Sequence, residues 1–235
     1  MKVEIWSDVM CPFCYIGKRR FEQALDKFEN KNAVEVEWKS FQLNPNAVTN
    51  PDINIHQYLA KIKGISLEQA KEMNDYVTGM AAEVGLTYNF DQAIVANSFK
   101  AHRFSHYAKA QGKGVEAEEQ LFKAYFTDGK NTDDTDTLVK LGVGIGLDAD
   151  DLRKTLESSA YADDVKHDVA EASYLGVQGV PFFVFDRKYA ISGAQALPVF
   201  EQTLEKSFNE WRKDHPAPAF EVIDGPSCGP DGNCD

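Results

Sequence analysis

Long apolar runs are missing: no stretch of the 235 residues approaches the ~20 consecutive apolar residues a membrane-spanning helix needs, so a membrane is not an expected partner. The start, Met1-Lys2-Val3-Glu4-Ile5-Trp6, has neither the apolar h-region nor the small-residue cleavage site of a secretory signal, and the expected location is cytoplasmic. Positive charge is also short. Against 37 Asp and Glu stand 25 Lys and Arg, a formal net charge of −12 that favours solubility, repels polyanions and argues against nucleic acid as a partner. No internal repeat is visible. Only four cysteines are present, and they fall into two close pairs, Cys11 with Cys14 and Cys228 with Cys234. In a reducing compartment such pairs point to redox or metal chemistry rather than to structural staples.

What is present is the composition of an ordinary globular protein, 43% hydrophobic and 26% charged, long enough for one large domain or a core carrying a sizeable insertion. Residues 2–7, KVEIWS, alternate as a short strand does. From Pro12 onward Ile16, Phe21, Leu25 and Phe28 recur at helical spacing, with Pro12 tolerated in the first turn. Val34–Trp38 alternates again, which gives strand, helix and strand within about 40 residues, with Cys11 and Cys14 where the first strand feeds the first helix. A long helical stretch of six or so helices follows to about residue 175. Its signals include a capping box of Ser66 with Gln69, helical runs over 97–111 and 115–127, and a helix opened by Asp148 with Asp151. Gly142, Gly144 and Gly146 spell G-x-G-x-G, but no strand leads into them as a nucleotide-binding fingerprint requires, so they read as a helix end and the next helix start. Pro181–Phe185 and Tyr189–Ile191 read as a hairpin, 196–213 as a last helix, and the remainder, HPAPAFEVIDGPSCGPDGNCD, as a Pro- and Gly-rich tail.

Strand-helix-strand, then helices, then strand-strand-helix is the order of a thioredoxin fold with a helical domain inserted in its middle. The segments SDVMCPFCYIGKRRFEQAL, NSFKAHRFSHYA and GVQGVPFFVFDRKYAISGAQ, with the C-terminal Cys pair, resemble the DsbA-like thioredoxin superfamily, nearest its cytosolic FrnE branch. The fold class implied is α/β, a thioredoxin-like fold with an inserted all-helical domain. The domains expected are 1–45 with 176–215 as the thioredoxin-like part, 46–175 as the helical insertion, and 216–235 as a tail carrying the second Cys pair.

The chemistry expected at the first pair follows from position. A thiolate, not a thiol, attacks a disulfide, and the unpaired N–H groups and dipole at a helix N-terminus favour an anion there. Cys11 is therefore the expected exposed nucleophile, and Cys14, about one turn further in, the buried resolving thiol. Pro12 and Phe13 between them are expected to tune the pair and to touch substrate. Two inert core cysteines, or a zinc pair needing further ligands from the tail or from His residues, are the alternatives.

The resemblance implies more. Thioredoxin-like proteins place a cis-proline loop beside the active-site pair, which makes Val180 and Pro181 substrate-binding residues; a proline that merely starts a strand is the plainer reading. They often carry a buried acid on the first strand as well. The residue six before Cys11 is Ile5, and Glu4 lies one position off, which turns it to the other face. His102 and His106 share a helix face, with His102 a possible neighbour of the active site rather than a metal ligand. The turn-forming residues between Cys228 and Cys234 allow a mobile dithiol that relays electrons to the first pair, or a passive disulfide closing the tail.

The function expected is thiol-disulfide exchange on protein disulfides or dithiols, as oxidase, reductase or isomerase, with no bound cofactor and no metal. A redox recycling partner is implied, and the chain is expected as a monomer or homodimer. Two rivals remain: a kappa-class glutathione transferase or hydroxychromene-carboxylate isomerase relative, and a thiolate metal-binding stress protein.

Overall fold

Val3 and Ile5 point one way along the first strand, β1 (Lys2–Ser7), while Glu4 and Trp6 point the other, and this alternation defines the two faces of the sheet. Val3, Ile5 and Trp6 are all fully buried, as befits a central strand covered on both sides. The computed structural model describes residues 1–216. In it β1 pairs in parallel with β2 (Glu35–Ser40) across helix α1 (Pro12–Lys27), and antiparallel with β5 (Phe182–Phe185), which forms a hairpin with β6 (Tyr189–Ser192). The sheet order is β2-β1-β5-β6, so the two ends of the sequence close into one mixed sheet.

On one face lie α1 and the last helix, α9 (Leu197–Asp214). Their seam is aromatic: the Phe21 ring sits 5.7–6.2 Å from those of Phe183, Phe185 and Phe200, at separations where tilted and edge contacts add to simple burial. On the other face Trp6 packs with Ala172, Val177 and Val184, and its indole N–H donates to the Asp168 carbonyl at 3.0 Å. Asp168 belongs to α8 (Ala162–Tyr174), and its Oδ2 accepts the Ser40 N–H at 2.9 Å and meets His106 Nε2 at 3.0 Å.

Glu4 pairs with Arg187 across this second face, away from α1. That pairing also steadies the β5–β6 turn, where Asp186 and Arg187 both adopt left-handed backbone (φ 49° and 55°) without a glycine. Such a turn matches the twist of a hairpin, and the Arg187 guanidinium is held by Glu4, by Glu171 at 2.8 Å and over the Trp6 ring at 5.7 Å.

Between β2 and β5 run seven α-helices among the described residues: α2 (Ile55–Lys63), α3 (Leu67–Glu83), α4 (Phe99–Ala110), α5 (Gly114–Phe122), α6 (Thr135–Gly144), α7 (Ala149–Glu157) and α8. The Ser66/Gln69 capping box forms, and Asp148 accepts the Asp151 N–H at 2.9 Å to open α7. Gly142 lies inside α6, where a Cβ would meet Leu152 at 2.3 Å and Phe104 at 3.3 Å; these glycines serve helix packing and helix ends. The stretch expected to be all helix also contains a small antiparallel pair, β3 (Asn50–Asn54) with β4 (Ile94–Val95). A five-residue strand bearing Pro51, paired with only two residues, offers no period-2 pattern to read.

Candidate active site

Cys11 is the N-cap of α1, with extended backbone (φ −92°, ψ 112°), and Pro12 fills the first helical position. The Cys11 N–H donates to the Asp8 carbonyl at 2.9 Å, and the Cys14 N–H to the Cys11 carbonyl at 3.0 Å, so one tight turn carries both sulfurs. The Tyr88 hydroxyl, from the helical insert, donates to the Pro12 carbonyl at 2.7 Å and pins that turn from the other side. Cys14 is fully buried. Burial, its hydrogen bond to Cys11 and the Cys11 charge push its thiol well above the ordinary value, only partly opposed by the Ser7 hydroxyl and the Asp8 backbone N–H. Near neutral pH Cys14 is therefore a protonated thiol.

The expectation of an exposed Cys11 is corrected: its residue is only 4% exposed. The cause is the loop before β5. The Cys11 sulfur lies 3.4 Å from the Val180 carbonyl, to which its thiol donates, and the Val180–Pro181 bond is cis. Access to the sulfur runs through a cavity of about 660 Å³. Cys11, Pro12, Phe13 and Val180 form one wall, and Tyr58, Leu59, Ile62, Met73, Tyr76 and Val77 of α2 and α3 stand in the other. Hydrocarbon dominates this lining, and Asp8, Asn44, Lys63, Asn74 and Ser98 are its polar members.

Gly17 is a site residue that sequence reasoning passed over. A Cβ there would sit 2.9 Å from Pro181 Cγ and 3.3 Å from the Phe183 ring, so only glycine lets α1 approach the proline loop. Neither a proline ring nor a buried phenyl yields easily. We expect Gly17→Ala to lower stability by about 1 kcal/mol: overpacking costs roughly 1–3 kcal/mol, and the better helix propensity of alanine returns less than ~1 kcal/mol. A fall in the urea midpoint with unchanged slope is the check, and a midpoint that rises would contradict it.

Asp8 is the other residue missed. It lies three residues ahead of Cys11 and is 1% exposed, with Oδ1 accepting the Met10 N–H at 3.2 Å and Oδ2 the Leu43 N–H at 2.7 Å. The structure places His102 beside it, Nε2 at 3.6 Å from Asp8 Oδ1. His106, one turn further along α4, serves instead to bind Ser40 (3.1 Å) and Asp168. Further along α1, Lys18 is buried between Glu22 at 2.6 Å and Glu119 of α5, and Tyr15 and Arg19 also bind Glu119, at 2.7 and 2.8 Å. Burial alone would raise the Glu119 carboxyl, but Lys18, Tyr15 and Arg19 hold it down at about 2.

Of the residues singled out in the sequence, Cys11, Pro12, Phe13 and Val180 line one cavity, with Cys14 buried behind Cys11, Pro181 joined to Val180 by the cis bond and His102 against Asp8, while Glu4 does not join them. Cys228 and Cys234 lie outside the described residues. No helix among the described residues is long and apolar enough to cross a membrane.

This arrangement has relatives. Residues 2–205 match the DSBA-like thioredoxin domain family. The chain is 31% identical over 211 residues to the protein YwbO of Bacillus subtilis (strain 168), covering 86% of this chain and 94% of that one. Among solved structures it is similar to a probable DsbA oxidoreductase from Streptomyces coelicolor, at 39% identity and a TM-score of 0.83 over 100% of this chain and 98% of that chain. It shares its fold with a 2-hydroxychromene-2-carboxylate isomerase at 16% identity and a TM-score of 0.65, over 92% of this chain and 100% of that chain. With a family match running through nearly the whole described length, the chain belongs to the DSBA-like thioredoxin domain family.

Proposed function

We propose that this chain exchanges disulfides with polypeptide substrates through Cys11 and Cys14. The carrying observation is the position of the Cys11 sulfur, at the N-cap of α1 and against the Val180 carbonyl, at the mouth of an apolar cavity. In the reducing direction the Cys11 thiolate attacks a substrate disulfide. A Cys11–substrate bond forms as the substrate S–S bond breaks, and the departing sulfur takes up a proton. Cys14 then gives up its proton and attacks Cys11 Sγ, which closes the Cys11–Cys14 disulfide and releases the second substrate sulfur. Two electrons pass from the dithiol to the substrate. The reverse sequence oxidises a substrate dithiol, and the two in succession isomerise a mispaired one.

The cavity favours a polypeptide over glutathione. Glutathione brings two carboxylates and an ammonium, whereas this mostly hydrocarbon lining offers one cation, Lys63, and one acid, Asp8, whose two oxygens already accept the Met10 and Leu43 N–H groups. Apolar side chains flanking a substrate cysteine gain roughly 25 cal/mol for each Å² removed from water here. The hydroxychromene isomerase and glutathione transferase reading lacks such support, and it requires glutathione-dependent activity that survives loss of both Cys11 and Cys14. A cytoplasmic setting with a thiol recycling partner suits the pair. Within this reading Cys228 and Cys234 relay electrons to the first pair, and a Cys228→Ser/Cys234→Ser variant with unchanged turnover and unchanged redox titration of Cys11 and Cys14 would remove that role.

The test uses the full chain with dithiothreitol and insulin. Catalysed reduction of insulin disulfides, at a rate well above that with dithiothreitol alone, is expected. Retention of the rate when Met73→Lys places a charge in the apolar wall would contradict the polypeptide-groove part of the reading.

A further inference from the structure

We infer that Asp8 and His102 form a buried charge pair whose balance governs the stability of the Cys11 thiolate, and through it the redox poise of the Cys11/Cys14 pair. The inference rests on the exchange reading above. Both are positioning residues, acting through the motif.

Asp8 is tied to the motif through its main chain, since its carbonyl takes the Cys11 N–H at 2.9 Å. Its side chain meets only donors: the Met10 N–H, the Leu43 N–H and, more distantly, His102. Donors alone suit the acceptor-only oxygens of a carboxylate. A fixed negative charge in a water-poor turn opposes a second one on the neighbouring sulfur, because Coulomb interactions weaken far less there than in solvent. Something must offset it.

His102 is the group placed to do so. It is 3% exposed, its Nε2 has no hydrogen-bond partner among the described residues, and that atom faces Asp8 at 3.6 Å, beyond hydrogen-bond reach but within ion-pair range. The other charged groups packed around are already committed. Lys18 on α1 is paired with Glu22 and Glu119, and His106 on α4 with Asp168. Glu118 on α5 accepts from Ser105, and burial raises its carboxyl. Burial also pushes the Tyr125 hydroxyl up, with Asp8 adding to it, so Tyr125 contributes no charge. For His102 itself, burial disfavours the imidazolium, but Asp8 and Glu118 outweigh burial and raise it above its ordinary value. Protonated, His102 neutralises Asp8 and the thiolate is tolerated; as pH rises through the His102 titration, Asp8 is left uncompensated and the thiolate is opposed.

A purely structural role predicts something different, because Asn at position 8 keeps an acceptor for the loop N–H groups. The experiment measures thiolate absorbance near 240 nm against pH, and the equilibrium of the Cys pair with glutathione, for the wild-type chain, Asp8→Asn, His102→Gln and the double variant. Asp8→Asn should move the Cys11 titration to lower pH and shift the glutathione equilibrium about tenfold toward the dithiol, equivalent to about 30 mV for a two-electron couple. His102→Gln should move both in the opposite direction. The double variant should match Asp8→Asn alone: without the carboxylate facing Nε2, burial disfavours the imidazolium, and Glu118, its own carboxyl raised by burial, does not replace Asp8. Single-variant shifts that add, or that share a sign, would overturn the inference. If His102→Gln does not fold, the pH dependence of the potential decides: the wild type should bend through the His102 titration and Asp8→Asn should not, and identical curves would overturn the inference. A wild-type pair that forms no disulfide with glutathione at all would instead sink the exchange reading.

Discussion

Cys14→Ser should produce a protein that attacks a disulfide once and then stops, and Cys11→Ser one that does not attack at all. Cys14 is fully buried behind Cys11, and its proton is held by burial and by Cys11 itself, so it has no route to an external disulfide before Cys11 is engaged. Of the two cysteines, Cys11 alone lines the cavity. In Cys11→Ser the reacting sulfur is gone, and turnover should fall by about 10³-fold or more, a loss of about 4 kcal/mol of transition-state stabilisation. In Cys14→Ser the first attack should keep its rate while the adduct persists. A mixed disulfide with insulin or another unfolded chain should therefore accumulate in non-reducing gels and appear in intact-mass spectra at one substrate per protein. Multiple turnover by Cys14→Ser, or adduct formation by Cys11→Ser, would assign the two sulfurs the other way round.

That order of events was legible in the sequence, because strand, Cys-x-x-Cys and helix follow one another without a gap and their periods differ, two for KVEIWS and 3.6 from Pro12 onward. The hairpin of β5 and β6 was readable for the same reason. Pairing of its first strand with β1 was not legible, since nothing local brings residue 183 beside residue 5. What periodicity cannot carry is depth. Cys11 has the sequence of an exposed N-cap, yet Val180, contributed from 169 residues away, covers it. The cavity is equally non-local: residues from Asp8 to Val180 line it, and the apolar positions of α2 and α3 that form one wall read along the chain like any core-facing stripe.

Asp8 escaped notice for a different reason. On the first strand, where a thioredoxin-like buried acid is expected, alternation decides which face a residue takes, and Glu4 faces the wrong way. The structure agrees about Glu4, whose carboxylate is spent on Arg187 on the far face of the sheet. The acid near the sulfurs sits in the turn after the strand, where no alternation applies, and its partner His102 comes from α4. The pairing of His102 with His106 at i and i+4 was visible, but their destinations differ. One reaches the loop before Cys11 and the other the Ser40–Asp168 contact, because α4 packs across two elements at once.

Removal of the Glu119 charge should strip Lys18 of one of its two partners and destabilise the fold. Lys18, one turn beyond Cys14, is 1% exposed, and its ammonium has Glu22 and Glu119 as its ion-pair partners. Stripping a partner from a buried ion pair costs about 3–5 kcal/mol, because the remaining charge cannot return to water. Glu22 still binds Lys18, and the Glu119 side chain is 30% exposed, so the expected loss for Glu119→Gln at pH 7 is smaller, about 2–3 kcal/mol. The pH dependence supplies the sharper check. The Glu119 carboxyl is held at about 2 in the fold against 4.5 in the unfolded chain, so its contribution is present in full above pH 4.5 and is lost as pH falls through about 2. The stability gap between wild type and Glu119→Gln, read from urea unfolding at a series of pH values, should therefore be widest near neutrality and close across that acid window. A gap that stays constant down to pH 2 would mean that the loss comes from packing rather than from charge. In that case Lys18→Met/Glu119→Leu, which replaces the pair with hydrocarbon of similar size, should fail to restore stability; if charge is the cause, the same double variant should recover most of it.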